Sequence, residues 1–189
     1  MKLLIRPPII LDQRTNEVPE DFRDVMDYFN RGISTKKDHY YFMPRRTPIT
    51  PEEIIKLWLP SSQTNLLFVA VDEETPINRR ARVVGSLAVL YAPSSNQYEW
   101  KQLRKQGDLA LTVDSDYNYL TVAEPLLRRA LQELADRNSK ARSITSIEFT
   151  EDISLMERLA PTAKQRRFSG HKPYQAIGLS GEALEWIIP

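Results

Sequence analysis

The chain has 189 residues, a formal net charge of +1 and no cysteine. This length is typical of one domain, the charge argues against a protein whose whole surface binds nucleic acid, and the lack of cysteine excludes disulfides, thiolate zinc sites and cysteine nucleophiles. No apolar run approaches the roughly 20 residues that span a bilayer, and the N-terminus is too short and broken by proline for a signal peptide. We therefore expect one domain over residues 1–189, soluble and cytoplasmic.

The first fifty residues predict one strand and two helices. Residues 3–11 are typical of an edge or bulged strand, because Pro7 and Pro8 cannot donate to a ladder. Residues 20–31 have apolar side chains at helical spacing. A second helix is expected to begin at Thr50, because Thr-Pro-Glu-Glu provides an N-cap, a proline in the first helical position and a capping box.

The middle of the sequence predicts three strands and a long helix. Apolar runs at 66–71, 82–91 and 109–113 indicate strands, and Gly85 within the second indicates a bulge or a close approach of the backbone. A polar, aromatic turn follows the third run. An amphipathic pattern then begins at Thr121, with apolar residues recurring at helical spacing: Leu126, Leu127, Ala130, Leu131 and Leu134.

The turn between residues 113 and 124 has two interpretations. A strand that leads into a helix N-terminus offers free N–H groups and the positive end of the helix dipole to an anion. Alternatively, it is an ordinary connection. In that case Thr121 caps the helix with Glu124 completing a capping box, or the helix starts at Glu124 with Pro125 in its first position.

The C-terminal part predicts a strand at 143–150, a helix at 152–160 that Asp152 caps, and a final strand at 174–179. Residues 164–172 form the densest basic run of the sequence. Such a run suits a cofactor phosphate, an acidic acceptor or a nucleic acid, or it is a solvated loop.

This order of elements resembles the GCN5-related N-acetyltransferase (GNAT) family of acyl-CoA-dependent transferases, and residues 108–160 carry the similarity at the level of motifs. The resemblance implies an α/β fold with a mixed central sheet flanked by helices, and acetyl-CoA as co-substrate. The family pattern has a basic residue and then glycines after the fourth strand. Laid on Val113 and Tyr117, it puts Asn118 at the basic position and Tyr119, Thr121 and Ala123 at the glycine positions.

The resemblance also implies a cofactor site in this segment. The end of the strand would offer main-chain groups to the pantetheine arm, and the amides of the following turn would hold the pyrophosphate. The expected cofactor-binding residues are Leu111, Thr112, Val113, Asn118, Tyr119, Leu120, Thr121, Val122 and Ala123.

Catalytic groups are less clearly marked. The tyrosine that the family places late in the helix at 152–160 is absent, so Tyr117 is the candidate general acid, with Tyr119 as the alternative. Asp114 is the candidate general base, because it is the carboxylate at the end of the strand, and Glu148 is the alternative. Each also has a structural interpretation, as a packing tyrosine or as a turn residue that bonds locally.

The implied reaction is acetyl transfer from acetyl-CoA to a primary amine of a small molecule or peptide, by direct attack on the thioester. The aromatic segment 39–43 suits an acceptor pocket or covers the sheet, and the two histidines have no partners spaced for a metal site. The main alternative is a non-catalytic GNAT-like domain that binds a ligand or partner. A third is a nucleic-acid adaptor that uses residues 164–172. No membrane partner is expected, and the oligomeric state, including a homodimer, is left open.

Overall fold

The computed structural model describes residues 1–9, 18–34, 48–52, 66–74, 82–90, 106–136, 143–147, 150–168 and 183–187. The strands are β1 (Leu3–Arg6), β2 (Leu66–Asp72), β3 (Arg82–Leu90), β4 (Gln106–Val113), β5 (Ser143–Ile147), β6 (Lys164–Phe168) and β7 (Ala183–Ile187). The helices are α1 (Glu20–Ser34), α2 (Tyr119–Asp136) and α3 (Thr150–Leu159). Pro51 and Glu52 are also helical, as their capping motif predicts.

All seven strands form one mixed sheet in the order β1-β2-β3-β4-β5-β7-β6. Every pairing is antiparallel except that of β4 with β5, which is parallel. The predicted mixed sheet is confirmed. The succession of apolar run, helix and apolar run in the sequence also predicts that residues 109–113 and 144–149 belong to neighbouring parallel strands, and the parallel pairing of β4 with β5 confirms this. A parallel pair requires a long crossover connection, which α2 supplies here.

Glycine 85 lies at an irregularity of β3. Ala70 pairs with Gly85 but the next residue, Val71, pairs with Val83, so β3 has one extra residue at this point. A Cβ atom on Gly85 would lie 2.5 Å from Cγ1 of Val122 on α2. The structure therefore contains both features that the sequence allowed, a bulge and a close approach.

The two long helices pack on opposite faces of the sheet. Gly85 faces α2, whereas the side chain of the next residue, Ser86, bonds to Tyr28 of α1, and successive side chains of a strand point to opposite faces. Apolar side chains of both helices are buried against the sheet. Those of α2 are Val122, Ala123, Leu126, Leu127, Ala130 and Leu134, and those of α1 are Phe22, Val25, Tyr28 and Phe29.

Some C-terminal predictions differ from the structure. Residues 164–168 of the basic run form the edge strand β6 rather than a loop. Helix α3 begins at Thr150, so Asp152 is its third residue and cannot be its N-cap. The predicted strand at 174–179, the aromatic segment 39–43 and Glu148 lie outside the described residues. No helix within the described part of the chain is long and apolar enough to cross a membrane.

Candidate cofactor site

The most distinctive feature of the sheet is the divergence of β4 from β5. The parallel pairing covers only residues 106–108 of β4 and 143–145 of β5. Beyond this point β5 continues to pair with β7, and β4 continues to pair with β3. Among the described residues, the C-terminal half of β4 is therefore paired along one edge only. We call the space between the diverging ends of β4 and β5 the cleft.

The main-chain groups that face the cleft can be assigned from one hydrogen bond. The N–H of Asp114 donates to the carbonyl of Val84 on β3 at 2.9 Å. Because main-chain groups alternate in direction along a strand, Thr112 also faces β3, whereas Leu111 and Val113 face the cleft. Both belong to the end of the strand, which the family resemblance implies offers main-chain groups to the pantetheine arm.

Helix α2 begins immediately above the cleft, and Asn118 is its N-cap. Oδ1 of Asn118 accepts hydrogen bonds from the N–H and the hydroxyl of Thr121, each at 3.1 Å. Both caps considered from the sequence, Thr121 and Glu124, are wrong, and the helix starts at Tyr119. A helix satisfies its first four N–H groups outside its own ladder, which places these donors at residues 118–121. The N–H of Thr121 is already bonded to Asn118, so the donors that can bind a phosphate lie among residues 118–120.

The predicted site residues in the segment 118–123 differ in exposure, and Tyr119 is partly buried. Asn118, Leu120 and Thr121 are exposed at the start of α2. Val122 and Ala123 are fully buried, and their N–H groups lie within the helical ladder, so both contribute packing rather than direct contacts to a phosphate.

Asp114 is held in the protein interior at the end of β4. Its side chain is 0% exposed and contacts Arg31 of α1 at 2.8 Å and Arg82 of β3 still more closely. Its other carboxylate oxygen accepts the N–H of Asp116 at 3.2 Å. The structure brings α1, β3 and the turn before α2 together at this carboxylate, and this geometry favours the structural interpretation of Asp114.

Tyr117 lies in the same turn and donates from its hydroxyl to Oδ2 of Asp72 at 3.0 Å. Burial, together with the hydrogen bond to Asp72, raises the pKa of Tyr117 to about 12. The phenol is thus protonated near neutral pH, as a general acid requires, but its proton is directed at a carboxylate and not at the cleft.

This contact gives a testable pH dependence. The folded state raises the pKa of Tyr117 to about 12 from the usual value of 10.0, so it favours the neutral phenol. The resulting stabilisation is complete below the unfolded pKa and is lost as the pH rises from 10 towards 12. We expect the difference in unfolding free energy between wild type and Tyr117→Phe to shrink over that range in urea titrations. A difference independent of pH would contradict the contact with Asp72.

Acidic side chains near the start of α2 have arginine partners. Glu124 contacts Arg128 at 2.9 Å and Arg158 of α3 at 2.5 Å. Asp116 contacts Arg31 at 3.4 Å. These pairs offset the negative charge that would otherwise repel a phosphate bound at the helix N-terminus.

A cavity of about 530 Å³ lies beside this turn, on the face of the sheet that α1 covers. The described residues that line it are Asp24, Asp27, Asn30, Arg31 and Arg82. None of the predicted cofactor residues is among them, although Arg31 and Arg82 connect the cavity to Asp114.

Comparisons with known proteins support the architecture. No protein-family model matches the sequence, and no curated protein is significantly similar to it. An N-acetyltransferase from Staphylococcus aureus has a similar structure, with a TM-score of 0.63 and 15% identity over 99% of this chain and 97% of the other. A protein from Salmonella typhimurium described as an acetyltransferase, solved with its cofactor acetyl-CoA, gives 0.62 and 14% over 98% and 91%.

A third similar structure is named for the family itself. A GCN5-related N-acetyltransferase from Kribbella flavida gives a TM-score of 0.59 and 16% identity over 98% of both chains. At these identities the similarity concerns the fold. The chain has the fold of the GCN5-related N-acetyltransferases.

Proposed function

We propose that the protein is an acetyl-CoA-dependent N-acetyltransferase that acts on a primary amine. The observation that carries this proposal is the cleft, where the end of β4, paired along one edge among the described residues, leads into a helix N-terminus. Coenzyme A combines a pantetheine arm containing two amides with a pyrophosphate. The arm can pair with the main chain of Leu111 and Val113 as an added strand would. The pyrophosphate can accept hydrogen bonds from main-chain amides among residues 118–120.

The residues at the family's glycine positions are compatible with this placement. The ring of Tyr119 packs against the core, and the hydroxyl of Thr121 bonds to Asn118. Both side chains therefore have partners within the protein. Ala123 is buried, so no side chain is added at the helix end from that position.

The chemistry requires an oxyanion donor and two proton transfers. When the amine attacks the thioester carbon, an N–H that faces the cleft near Val113 is suited to stabilise the developing oxyanion. The amine must lose one proton, and the departing thiolate must gain one. Asp114 and Tyr117 stay our predicted base and acid. Their contacts with the two arginines and with Asp72 must be exchanged before either can move a proton.

The same contacts favour the second candidate function, a non-catalytic domain that binds an acyl-CoA or another ligand. Both candidate proton carriers hold structural contacts in this fold. The two functions differ in one observable, since only the enzyme releases coenzyme A thiol when an amine is added. An assay of thiol release with a panel of small and peptide amines separates them once cofactor binding is established.

Calorimetric titration with acetyl-CoA tests the proposed site, and a pair of variants locates it. Glu124→Gln removes a negative charge near the start of α2 and releases Arg128 and Arg158, so we expect tighter binding. Asp136→Asn removes the same charge at the far end of the helix, about 18 Å away by the helical rise, which exceeds the screening length of about 8 Å at physiological salt. We expect no change from that control.

Two results would contradict the proposal. Folded wild-type protein that gives no binding heat at millimolar acetyl-CoA would exclude both the enzyme and an acyl-CoA-binding domain. Equal effects of Glu124→Gln and Asp136→Asn would show that the start of α2 is not where the phosphates bind.

A further inference from the structure

Three hydroxyl groups form a closed ring inside the protein. The hydroxyl of Tyr28 on α1 donates to Oγ of Ser86 at 2.8 Å and lies 2.7 Å from Oγ1 of Thr112, and these two oxygens are 2.7 Å apart. Tyr28 is 1% exposed, and Ser86 and Thr112 are 0% exposed. Since a hydroxyl both donates and accepts, each member of the ring can donate once and accept once around the circle. We call this group the hydroxyl ring.

The ring occupies a place where apolar side chains would pack at less cost. Buried hydroxyls need hydrogen-bond partners to offset their lost hydration, and a partly satisfied network is worse than an apolar core. What such a network supplies is a fixed mutual geometry of the elements it joins. Here those elements are α1, β3 and β4, and Ser86 and Thr112 are directly paired on the two neighbouring strands.

Thr112 connects the hydroxyl ring to the part of β4 that faces the cleft. Thr112 stands between Leu111 and Val113, the two residues whose main chain faces the cleft. Among the described residues, this part of β4 has a strand partner on the β3 side only. The position of the edge of β4 that faces the cleft therefore depends on its pairing with β3 and on side-chain contacts from the two faces of the sheet. The hydroxyl ring is such a contact, made from the α1 face.

We propose that Tyr28 is a positioning residue for coenzyme A. Through Thr112 it fixes the open edge of β4, so that the main chain of Leu111 and Val113 is held ready for the pantetheine arm. Tyr28 acts from the opposite side of the strand and touches no substrate itself. This inference rests on the proposed function, because it assumes that the cleft binds the arm of coenzyme A.

Four variants separate positioning from general stability. Tyr28→Phe removes both hydrogen bonds of Tyr28, and Thr112→Val removes the hydroxyl of Thr112 at nearly constant volume. Thr112→Ser keeps the hydroxyl and is the conservative rescue. Ser86→Ala is the matched control, because it also breaks two of the three bonds of the hydroxyl ring but leaves the bond between Tyr28 and Thr112 intact.

The measurement is the dissociation constant of coenzyme A and of adenosine 3′,5′-bisphosphate, each determined below the melting temperature of the variant. The bisphosphate lacks the pantetheine arm and the outer phosphate of the pyrophosphate that carries it. We expect Tyr28→Phe and Thr112→Val to raise the dissociation constant of coenzyme A by about fivefold or more. Thr112→Ser and Ser86→Ala should stay within about twofold of wild type. None should alter the affinity for the bisphosphate. Tyr28→Phe and Ser86→Ala each remove two hydrogen bonds, so both lower the melting temperature. A loss of stability alone would therefore not distinguish their affinities for coenzyme A.

The outcomes against the inference are distinct. If the wild type binds coenzyme A and the variants Tyr28→Phe and Thr112→Val bind it with the same affinity, the positioning role of Tyr28 is overturned but the proposed function is not. Equal losses for coenzyme A and the bisphosphate, or a loss in Ser86→Ala as large as in Tyr28→Phe, would also overturn it. Wild type that binds no coenzyme A would overturn this inference and the proposed function together. If Tyr28→Phe does not fold, Thr112→Val carries the same test.

Discussion

Replacing Asp114 with asparagine is expected to lower the free energy of unfolding by about 3 kcal/mol. The side chain of Asp114 is 0% exposed and joins Arg31 of α1 to Arg82 of β3. Removing its charge leaves two guanidinium groups without their buried partner. The expected loss is at the low end for buried ion pairs, because Arg31 is 47% exposed and Arg82 is 32% exposed and both retain some hydration.

Asp116→Asn is the matched control for this prediction. Asp116 is 62% exposed and lies 3.4 Å from Arg31, so the same substitution two residues away should change the unfolding free energy by less than about 1 kcal/mol. Chemical unfolding of both variants provides the comparison. If Asp114→Asn keeps wild-type stability and loses only acetyl transfer, the carboxylate is a catalytic base and its structural role is refuted.

Gly85→Ala is expected to destabilise the fold by about 2 kcal/mol through overpacking. The added Cβ would lie 2.5 Å from Cγ1 of Val122, 3.2 Å from Cδ1 of Leu126 and 3.3 Å from the carbonyl of Thr112. The first contact is too short to persist, and Val122 is a stiff, fully buried side chain. The relief available is a shift of α2 away from the sheet, which would also displace the helix start beside the cleft.

A double-mutant cycle with Val122→Ala identifies the clash. Val122→Ala alone creates a cavity and destabilises, but in the presence of Gly85→Ala it also removes the atom that the new Cβ meets. We expect the double variant to be more stable than the sum of the single losses predicts, by about 1 kcal/mol. Additive losses in urea unfolding would show that the bulk at residue 85 is accommodated elsewhere.

The sequence predicted most of the elements because their apolar patterns are strong. The spans of β2, β3, β4 and α1 were close to those observed, and the parallel pairing around α2 followed from strand, helix and strand in succession. Strand β6 was missed because its residues are mostly basic and show no apolar run. The N-cap of α2 was placed three residues late, at Thr121, because Thr121 with Glu124 matches a capping box, although asparagine is as strong an N-cap.

The candidate site was only partly accessible from the sequence. The helical spacing of Val122 and Ala123 with Leu126 and Leu127 already indicated core positions. Nothing local marks Arg31 and Arg82 as partners of Asp114, since they lie 83 and 32 residues away along the chain. The divergence of β4 from β5 was equally hidden, because the length over which two strands stay paired is decided by the packing of the whole sheet.

Amide hydrogen exchange with and without saturating coenzyme A tests the central claim most directly. The account predicts slower exchange in the bound protein at Leu111, Val113 and residues 118–120, where the arm and the pyrophosphate would accept these N–H groups. The edge strand β1, which pairs only with β2 among the described strands, should exchange unchanged and serves as the internal control. If coenzyme A binds but does not slow exchange in residues 111–121, the cleft is not the cofactor site. Equal protection of β1 would lead to the same conclusion.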